Sequence, residues 1–324
     1  MHRSPADADW MAVAIALSRR GRPASAPNPN VGCLLVKDSK VMARGWTQPG
    51  GRPHAEAMAL AAAGGGARGA TAYVSLEPCA HASPRGPACS DALIAAGIAR
   101  VVIGAQDPDP RTDGEGIARL QAAGIEVVFN VHPAEARAAM APWWICQTES
   151  RAFVTLKLAT SLDGCIGLAD GSSRWITGAR SRAHGHLERA SHQAILVGRG
   201  TLDADSPKLD VRLAGLENRS PQKLLLTSGR APEGWTAVAS PEAIDDVDSL
   251  LVEGGAGAAS AFLAADRVDR LLLYRAPILI GGGKPALGDI GLTDLADAHG
   301  RWRLADSRML GSDRLDVYER IRII

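Results

Sequence analysis

Hydrophobic and polar positions alternate between strand-like and helix-like patterns along the first half of the chain. Short apolar runs predict strands at VGCLLVKD, VMARGW, ATAYVSL, RVVIGA and EVVFNV. Segments with helical spacing predict helices at MAVAIALSRRG, HAEAMALAAAGG, SDALIAAGIA and GEGIARLQAAGI, and a closing helix within PAEARAAMAPWWICQTES. This alternation is typical of an α/β layer, so we expect helices on both faces of a largely parallel sheet, with the first two strands paired.

The second half begins again with a strand that leads into a turn, RAFVTLKLATSLDG. Helices are predicted at TGARSRAHGHLERA and GAASAFLAAD, and strands at QAILVG, QKLLLTS and SLLVEGG. The apolar segment RVDRLLLYRAPILIG follows, and two strands, WRLADSRML and RLDVYERIRII, end the chain. Because consecutive strands close this half, we place a boundary near residues 147–151 and expect two domains, 1–147 and 148–324.

Composition is that of an ordinary globular protein and argues against several classes. The 324 residues are enough for two average domains, with 46% hydrophobic and 22% charged residues. The net charge is +1 without any block of like charge, so nothing indicates a nucleic-acid partner. Five cysteines do not resemble a disulfide framework, and the N-terminal segment resembles neither a signal peptide nor a membrane span. We expect a cytoplasmic protein without membrane partners, and a homo-oligomer stays open.

Candidate metal ligands lie in two segments of the first half. Cys79 and Cys89 are separated by nine residues in LEPCAHASPRGPACSDAL, and PHAEAMAL places His54 and Glu56 at the start of an apparent helix. One imidazole and two thiolates suit tetrahedral zinc and leave its fourth position open for water. An HxE motif followed by Pro-Cys is the signature of zinc nucleobase deaminases, in which zinc lowers the pKa of water from about 16 to about 7. We therefore predict zinc on the histidine and the two cysteines, with Glu56 carrying protons from the water to the ring nitrogen and the departing amine.

Two other interpretations stay open at this point. A structural zinc site usually has four protein ligands, and His81 could supply the fourth. Alternatively, Cys79 and Cys89 are inert buried thiols and the EPC segment is a plain turn. Glu56 distinguishes these interpretations, because a structural zinc site has no use for a carboxylate beside the metal.

Four motifs of the first half resemble the deaminase half of the bifunctional deaminase–reductases of riboflavin biosynthesis. They are PNPNVGCLLV (27–36), HAEAMAL (54–60), LEPCAHASPRGPACSDALIAAGI (76–98) and QDPDPRTDGEGIARL (106–120). The resemblance implies a three-layer α/β/α fold like that of cytidine deaminase. For the site it implies zinc on His54, Cys79 and Cys89, Glu56 as the proton carrier, and substrate contacts at Asn28 and His81.

The first half departs from this family in two places. The nine residues between Cys79 and Cys89 are one more than the family commonly has, and a loop can absorb one residue without moving its ends. Several family members have a histidine seven residues before the zinc-binding histidine, where this chain has Thr47. We keep Cys89 as a ligand and expect altered contacts at Thr47 and in the loop.

The second half resembles the reductase half of the same enzymes, which has a dihydrofolate-reductase-like α/β fold. The resemblance lies in RAFVTLKLATSLDGCIGLADGSSRWITG, ERASHQAILVGRGTLDADSPKLDVR and LLVEGGAGAASAFLAADRVDRLLLYRAPILIGG. It implies NADPH contacts at Ala159, Trp175, Thr201, Asp205, Ser228, Gly255, Ala256, Gly257, Ala258, Ala259, Ser260 and Ala261. It implies substrate contacts at Lys157, Ser173, Arg189, Leu209, Arg212 and Glu253.

Chemical reasoning supports part of this second set. VEGGAGAAS places a glycine turn between a strand and a helix, where backbone amides can bind a cofactor phosphate, although a plain tight turn has the same pattern. Arg189 and Arg212 suit a substrate phosphate because a guanidinium fork matches phosphate oxygens. The segment between residues 213 and 250 is shorter than in the family, so we expect one strand beyond QKLLLTS and a trimmed or lost outer strand–helix unit.

The resemblance implies two consecutive reactions. The first is zinc-dependent hydrolytic deamination of 2,5-diamino-6-(5-phosphoribosylamino)pyrimidin-4(3H)-one. The second is NADPH-dependent reduction of the ribosyl group of 5-amino-6-(5-phosphoribosylamino)uracil to ribityl, by hydride transfer to C1′. The alternative is a zinc deaminase of another nucleobase or nucleotide with a reductase of different substrate. An RNA deaminase would predict a CxxC spacing and a basic surface, and neither is present. A binding module with a structural zinc is the non-enzymatic alternative.

Overall fold

In the computed structural model, which describes residues 4–81, 83–173 and 175–322, the chain divides into two units, Met1–Ser150 and Arg151–Ile324. The helices of the first unit are α1 (Pro5–Ser18), α2 (Ala55–Ala63), α3 (Cys89–Ala95), α4 (Glu115–Ala122), α5 (Pro133–Ala139) and α6 (Ala141–Glu149). Its strands are β1 (Gly32–Lys37), β2 (Lys40–Trp46), β3 (Thr71–Leu76), β4 (Arg100–Ala105) and β5 (Glu126–Val128). Short 3₁₀ turns lie at Arg19–Gly21, Pro49–Gly51 and Gly64–Ala67.

The sheet of the first unit is mixed. Its strand order is β2–β1–β3–β4–β5, in which β1 is antiparallel to both neighbours and β3, β4 and β5 are parallel. The predicted pairing of the first two strands is confirmed, and so is a largely parallel sheet, because β2, β3, β4 and β5 run in the same direction and β1 is reversed between β2 and β3. The two-residue turn at Asp38 and Ser39, where both residues have positive φ, reverses the chain between β1 and β2.

Two glycines allow helices to approach this sheet closely from opposite sides. A Cβ atom on Gly32 would lie 2.0 Å from the carbonyl oxygen of Ala14 in α1, and one on Gly45 would lie 2.1 Å from that of Ala55 in α2. Gly45 is paired with Cys33, the residue after Gly32, and successive residues of a strand face opposite sides. Helices α1 and α2 therefore cover opposite faces, which gives the predicted three-layer α/β/α arrangement.

Asp7 fixes the N-terminal helix to the sheet. Its Oδ2 accepts a hydrogen bond from the backbone N–H of Ser4 at 2.9 Å, which forms part of a capping box at the start of α1. Arg100 donates to both carboxylate oxygens, at 2.7 and 3.0 Å, and the Tyr73 hydroxyl donates at 3.1 Å. Burial alone would raise the pKa of Asp7, but the hydrogen bonds and the charge of Arg100 hold it below its ordinary value.

The predicted closing helix of the first unit is wrong in one respect, because it is two helices. Helix α5 ends at Ala139, and Met140 leaves the helical conformation with φ −112° and ψ 17° before α6 begins. Pro142 lies in the first turn of α6. Proline has no N–H to donate and disfavours helix in the residue before it, so it is tolerated where a helix begins but not inside one.

The second unit is built on an eight-stranded sheet and a separate two-stranded one. The strands of the unit are β6 (Phe153–Thr160), β7 (Cys165–Gly167), β8 (Ala194–Gly198), β9 (Gln222–Leu226), β10 (Thr236–Val238), β11 (Ser249–Val252), β12 (Arg270–Arg275), β13 (Lys284–Pro285), β14 (Trp302–Leu310) and β15 (Asp313–Arg320). Its helices are α7 (Ala179–Arg189), α8 (Arg199–Asp205) and α9 (Ala256–Ala264), with 3₁₀ turns at Glu217–Arg219 and Leu295–Ala298. The large sheet has the order β10–β9–β8–β11–β6–β12–β15–β14, and β7 pairs separately with β13.

The pairing in the large sheet changes at β12. The strands from β10 to β12 are parallel, and β15 and β14 extend the sheet antiparallel. The two closing strands are confirmed, as is a single strand, β10, between β9 and β11 without an α-helix in residues 206–248. Helix α8 and the β7–β13 pair were not predicted, because these elements are two to seven residues long and have too few positions for a period.

Central strands of both units are buried, as expected for sheets with helices on both sides. All four residues of β11 and the first five of β1 are buried. The longest described helix, α1, has 14 residues. None of the described helices combines the length and apolar character that are needed to cross a membrane.

Candidate metal centre and cofactor cleft

The three predicted zinc ligands come from three separate segments of the first unit. His54 directly precedes α2, Cys79 follows the end of β3, and Cys89 is the first residue of α3. Nδ1 of His54 lies 3.2 Å from Sγ of Cys89 and 3.7 Å from Sγ of Cys79. Among the described residues, these three side chains form the cluster of metal donors, with all donor atoms within 4.8 Å of one another.

Asn28 contacts the other ring nitrogen of His54. The amide nitrogen of Asn28 lies 3.3 Å from Nε2, while Nδ1 faces the two thiols. A hydrogen bond on the far side of a ligating imidazole fixes the orientation of the ring. Asn28 was predicted to contact substrate, and the structure places it against the zinc-site histidine.

Glu56 lies beside the donors without belonging to the donor cluster. It occupies the first turn of α2 and is 3% exposed. Burial raises the pKa of its carboxyl. A buried carboxyl with a raised pKa can accept and return a proton near neutral pH.

The two thiols differ in their surroundings. The backbone N–H of Cys89 donates to Sγ of Cys79 at 3.3 Å. The Cys89 side chain lowers the pKa of Cys79, whereas the Cys79 side chain and burial raise the pKa of Cys89. One imidazole and two thiols are a donor set that fits Zn²⁺, which binds cysteine as thiolate.

His81 does not join this cluster. Its Nδ1 lies 3.5 Å from Oγ1 of Thr112, in the loop before α4. The described part of the chain therefore offers three protein donors, not the four that are typical of structural zinc. A site with three donors retains one position for water or substrate, as catalytic zinc sites do.

Glu77, which the sequence interpretation did not single out, supports the metal centre. Its carboxylate accepts hydrogen bonds from the backbone N–H groups of Asp107 at 3.3 Å, Gly114 at 3.1 Å and Ile117 at 3.1 Å. These bonds tie the segment just before Cys79 to the loop that precedes α4. The EPC motif is thus a structural anchor as well as the source of a ligand.

Thr47 occupies the position where several family members have histidine. It is 1% exposed, and its hydroxyl accepts a hydrogen bond from the backbone N–H of Val31 at 2.9 Å. Its own N–H donates to the carbonyl of Val31 at 3.0 Å. The side chain therefore completes the strand pair by bonding within the protein.

A small cleft of about 220 Å³ adjoins the donors. Its lining includes His54, Cys89 and two arginines, Arg52 and Arg85. Arg85 is exposed and donates to the carbonyl of Gly50 at 3.0 Å. Two guanidinium groups beside the metal donors would suit an anionic substrate, and neither was singled out from the sequence.

Most of the predicted reductase residues meet in a cleft of about 1010 Å³ in the second unit. The predicted NADPH contacts in its lining are Ala159, Trp175, Thr201, Asp205, Gly255, Ala256, Gly257 and Ala258. The predicted substrate contacts there are Lys157, Ser173, Arg189, Arg212 and Glu253. Much of this lining follows the carboxyl ends of parallel strands, which is the edge where ligands bind in open α/β sheets.

The other predicted residues lie outside that lining. Leu209 is buried in the core, Ser228 is exposed just after β9, and Ala259, Ser260 and Ala261 lie further along α9. The N–H of Ala259 donates to the carbonyl of Gly255 at 3.2 Å. Amides available to a phosphate therefore end before Ala259, because only the first turn of a helix has free N–H groups.

Glu253 joins two cations at the floor of the cleft. Arg189 donates to its two carboxylate oxygens at 2.7 and 2.8 Å, and to the carbonyl of Asp210 at 3.0 Å. Nζ of Lys157 lies 3.8 Å from the same carboxylate. Burial alone would raise the pKa of Glu253, but these charges lower it. Arg212, with 61% of its side chain exposed, has more donors available for a phosphate than Arg189.

The cleft also contains polar residues that sequence reasoning missed. They include Arg182, His186, Arg199, Tyr274 and Lys284. The guanidinium carbon of Arg182 lies 4.7 Å from the ring centroid of Trp175, a cation–π contact on the cleft wall. No local pattern distinguishes such single residues, and only the place of Arg199 directly after a predicted strand was a signal.

A histidine and two cysteines with a buried glutamate beside them, on an α/β/α sandwich, define a zinc-dependent deaminase unit joined here to an α/β unit with a cofactor-sized cleft. The family model described as "Cytidine and deoxycytidylate deaminase zinc-binding region" matches residues 4–105. The one described as "RibD C-terminal domain" matches residues 152–240 and 242–315.

Relatives along almost the whole chain make the assignment specific. The riboflavin biosynthesis protein RibD of Escherichia coli (strain K12) is 37% identical, covering 95% of this chain and 97% of that protein. RibD of Mycobacterium tuberculosis (strain H37Rv) is also 37% identical, with 94% and 95% covered. The chain belongs to the RibD family, the bifunctional deaminase–reductases of riboflavin biosynthesis, which use zinc and NADPH.

Solved structures agree with this assignment. RibD of Acinetobacter baumannii, form 1, matches with a TM-score of 0.86 at 32% identity, covering 98% of this chain and 99% of that one. The diaminohydroxyphosphoribosylaminopyrimidine deaminase/5-amino-6-(5-phosphoribosylamino)uracil reductase of Thermotoga maritima matches with a TM-score of 0.88 at 32% identity, with 97% and 99% covered. The predicted fold class is therefore confirmed for both units.

Proposed function

We propose that this chain deaminates 2,5-diamino-6-(5-phosphoribosylamino)pyrimidin-4(3H)-one and then reduces the ribosyl group of 5-amino-6-(5-phosphoribosylamino)uracil to ribityl with NADPH. The observation that carries the proposal is the donor set of His54, Cys79 and Cys89 with the buried Glu56 beside it. We assign deamination to residues 1–147 and reduction to residues 148–324.

In the deaminase, Glu56 is the catalytic residue. Zinc held by the three donors would supply a water that is acidic enough to act as a nucleophile at neutral pH. Glu56 would take one proton from that water and give it to the ring nitrogen; it would then take the proton of the hydroxyl group added to the ring and give it to the amine, which leaves as ammonia. Its burial supports this role, because burial raises the pKa of the carboxyl towards the pH at which the enzyme works.

In the deaminase, polar side chains contact the pyrimidine of the substrate and cationic side chains bind its phosphate. His81 is positioned by Thr112 and contacts the pyrimidine. Arg52 and Arg85, in the small cleft beside the donors, bind the 5′-phosphate through charge-assisted hydrogen bonds. Asn28 orients His54 through its amide nitrogen. We keep Asn28 as a substrate contact through its amide oxygen.

In the reductase, the protein holds a flexible substrate against the cofactor. NADPH supplies the hydride for C1′ of the open-chain imine. Lys157 and Glu253 contact the ribosylamino group, and Arg212 binds the 5′-phosphate, with Arg189 fixed beside it by Glu253. The backbone amides at the start of α9 bind the cofactor pyrophosphate.

The experiment that tests the deaminase mechanism is the Glu56→Gln variant, with Glu115→Gln as the matched control because Glu115 is an exposed glutamate of the same unit. We expect Glu56→Gln to keep stoichiometric zinc and NADPH oxidation with the deaminated substrate, while deamination falls about 10²- to 10⁴-fold. Deamination at the wild-type rate by a zinc-loaded Glu56→Gln enzyme would refute the mechanism.

We also propose that the enzyme acts in the cytoplasm on small phosphorylated pyrimidines, without nucleic-acid or membrane partners. The five free cysteines and the net charge of +1 support this proposal. Sedimentation of the purified enzyme with and without RNA tests it and also measures whether the chain forms a homo-oligomer. Co-sedimentation with RNA at physiological salt would contradict it.

A further inference from the structure

Arg199 is a cation of the reductase cleft that the proposed reactions leave unused. It is the first residue of α8, directly after β8, and it lines the cleft. Its Nη2 lies 3.3 Å from the Thr227 hydroxyl and 2.5 Å from the backbone carbonyl of Arg230. These contacts hold the guanidinium at the loop that follows β9, the loop that contains Ser228.

Arg199 differs from the other lysines and arginines of this cleft in its surroundings, because each of those has an acidic or aromatic neighbour. These pairs are Lys157 and Arg189 with Glu253, Arg212 with Asp210, Lys284 with Asp170, and Arg182 with Trp175. Among the residues that the structure describes, no carboxylate lies within 4.0 Å of the Arg199 guanidinium, and its hydrogen bonds are to neutral oxygens. Its charge is therefore available to an anionic ligand.

Strand order defines which end of the cofactor would meet this charge. The amides at the start of α9 follow β11, and the Thr201 hydroxyl of α8 accepts the N–H of Gly255 at 2.9 Å. Lys157, on β6, lies on one side of β11, whereas Arg199 follows β8 on the other side and contacts the loop after β9. From β6 to β9 there are three strand spacings, about 14 Å.

A dinucleotide with its pyrophosphate at α9 and its nicotinamide over β6 therefore extends its adenosine towards Arg199. NADPH differs from NADH only by a phosphate on the 2′-oxygen of that adenosine. A guanidinium with neighbouring hydroxyl groups is suited to a phosphate monoester, because both supply hydrogen-bond donors to its oxygens.

We propose that Arg199, with the hydroxyl groups of Thr227 and Ser228 beside it, binds the 2′-phosphate of NADPH and determines the preference of this reductase for NADPH over NADH. The inference rests on the use of NADPH by the second unit. It also gives a role to Ser228, which is a predicted cofactor contact outside the main cleft lining.

The test measures binding of cofactors by isothermal titration calorimetry to the full-length enzyme. In Arg199→Ala, we expect the Kd of NADPH to rise about 10- to 100-fold and the Kd of NADH to change less than twofold. Adenosine 2′,5′-bisphosphate should lose affinity to a similar extent, whereas AMP, which lacks the 2′-phosphate, should not. Arg180→Ala is the matched control, because Arg180 is an exposed arginine of the same unit outside the cleft lining.

A second variant, Arg199→Gln, guards against a folding defect, because glutamine keeps the aliphatic stem and a polar end while lacking the charge. It should lose the preference for NADPH with an unchanged melting temperature. Equal weakening of NADPH and NADH, or an unchanged Kd for NADPH in both variants, would overturn the role of Arg199. If the wild-type enzyme bound neither dinucleotide, the proposed reductase function itself would be wrong.

Discussion

Glu253 lies between two cations at the floor of the reductase cleft, and its replacement by glutamine should destabilise the second unit strongly. Glu253→Gln removes the negative charge that accepts two hydrogen bonds from Arg189, at 2.7 and 2.8 Å, and that faces Lys157 at 3.8 Å. Breaking one side of a buried ion pair costs about 3–5 kcal/mol, because the remaining charge stays buried without a partner. For a unit of about 170 residues, with an unfolding entropy of about 2.1 cal/mol/K per residue, this cost lowers Tm by about 8–14 °C.

Differential scanning calorimetry of the full chain measures this change, with the transition of the second unit assigned by its shift on adding NADPH. Glu233→Gln is the matched control, because Glu233 is an exposed glutamate of the same unit. The double variant Glu253→Leu, Arg189→Met should recover much of the loss, since it removes the carboxylate together with its closest cation and leaves only the more exposed Lys157 without a partner. A decrease of less than 2 °C in Glu253→Gln, or no recovery in the double variant, would refute the reasoning about the buried pair.

Three further predictions concern the first unit. Asp7→Asn should lower the unfolding free energy of this unit by about 1.5–3 kcal/mol at pH 7. Because the pKa of Asp7 is lowered in the folded state, this stabilisation is present above the unfolded pKa of about 3.9 and disappears as pH falls through the lower folded pKa. Urea unfolding that gave the same difference between Asp7→Asn and the wild type at pH 7 and at pH 2 would contradict this prediction. Asn28→Leu should weaken zinc binding about 10- to 100-fold in a chelator competition, whereas unchanged zinc affinity with weaker substrate binding would make Asn28 a substrate contact. Arg85→Ala should raise the KM of deamination about 10-fold or more for the phosphorylated substrate but not for its dephosphorylated analogue, and an equal rise for both would exclude a phosphate contact.

The metal centre could be predicted from the sequence because its chemistry is encoded in short motifs. His54 and Glu56 lie in one helix start, so their proximity follows from local structure. The two cysteines could be assigned to one metal only from the motif around them, because the loop between them has one residue more than the family commonly has. The structure brings Cys79 and Cys89 to the same histidine despite that extra residue, as expected because a loop can absorb one residue without moving its ends.

Other features could not be predicted because they depend on partners distant in sequence. The role of Glu77 as an acceptor for three backbone amides follows only once the loop before α4 is folded against it. Arg199 and Arg85 are single arginines among many, and their significance comes from the clefts that they line. The break at Met140 was missed for a different reason, because the apolar pattern continues through Pro142 although the backbone hydrogen bonding does not.

Substitution of Gly45 would disturb the metal site of the first unit, although Gly45 takes no part in its chemistry. The residue contributes no ligand and no proton, yet a methyl group there would overlap the carbonyl oxygen of Ala55. Ala55 lies between His54 and Glu56, so a shift of the helix start would move the metal donor and the proton carrier together. A mutational screen for lost deaminase activity should therefore recover Gly45 substitutions that fold and retain the reductase, and such variants would be mistaken for changes in the active site itself.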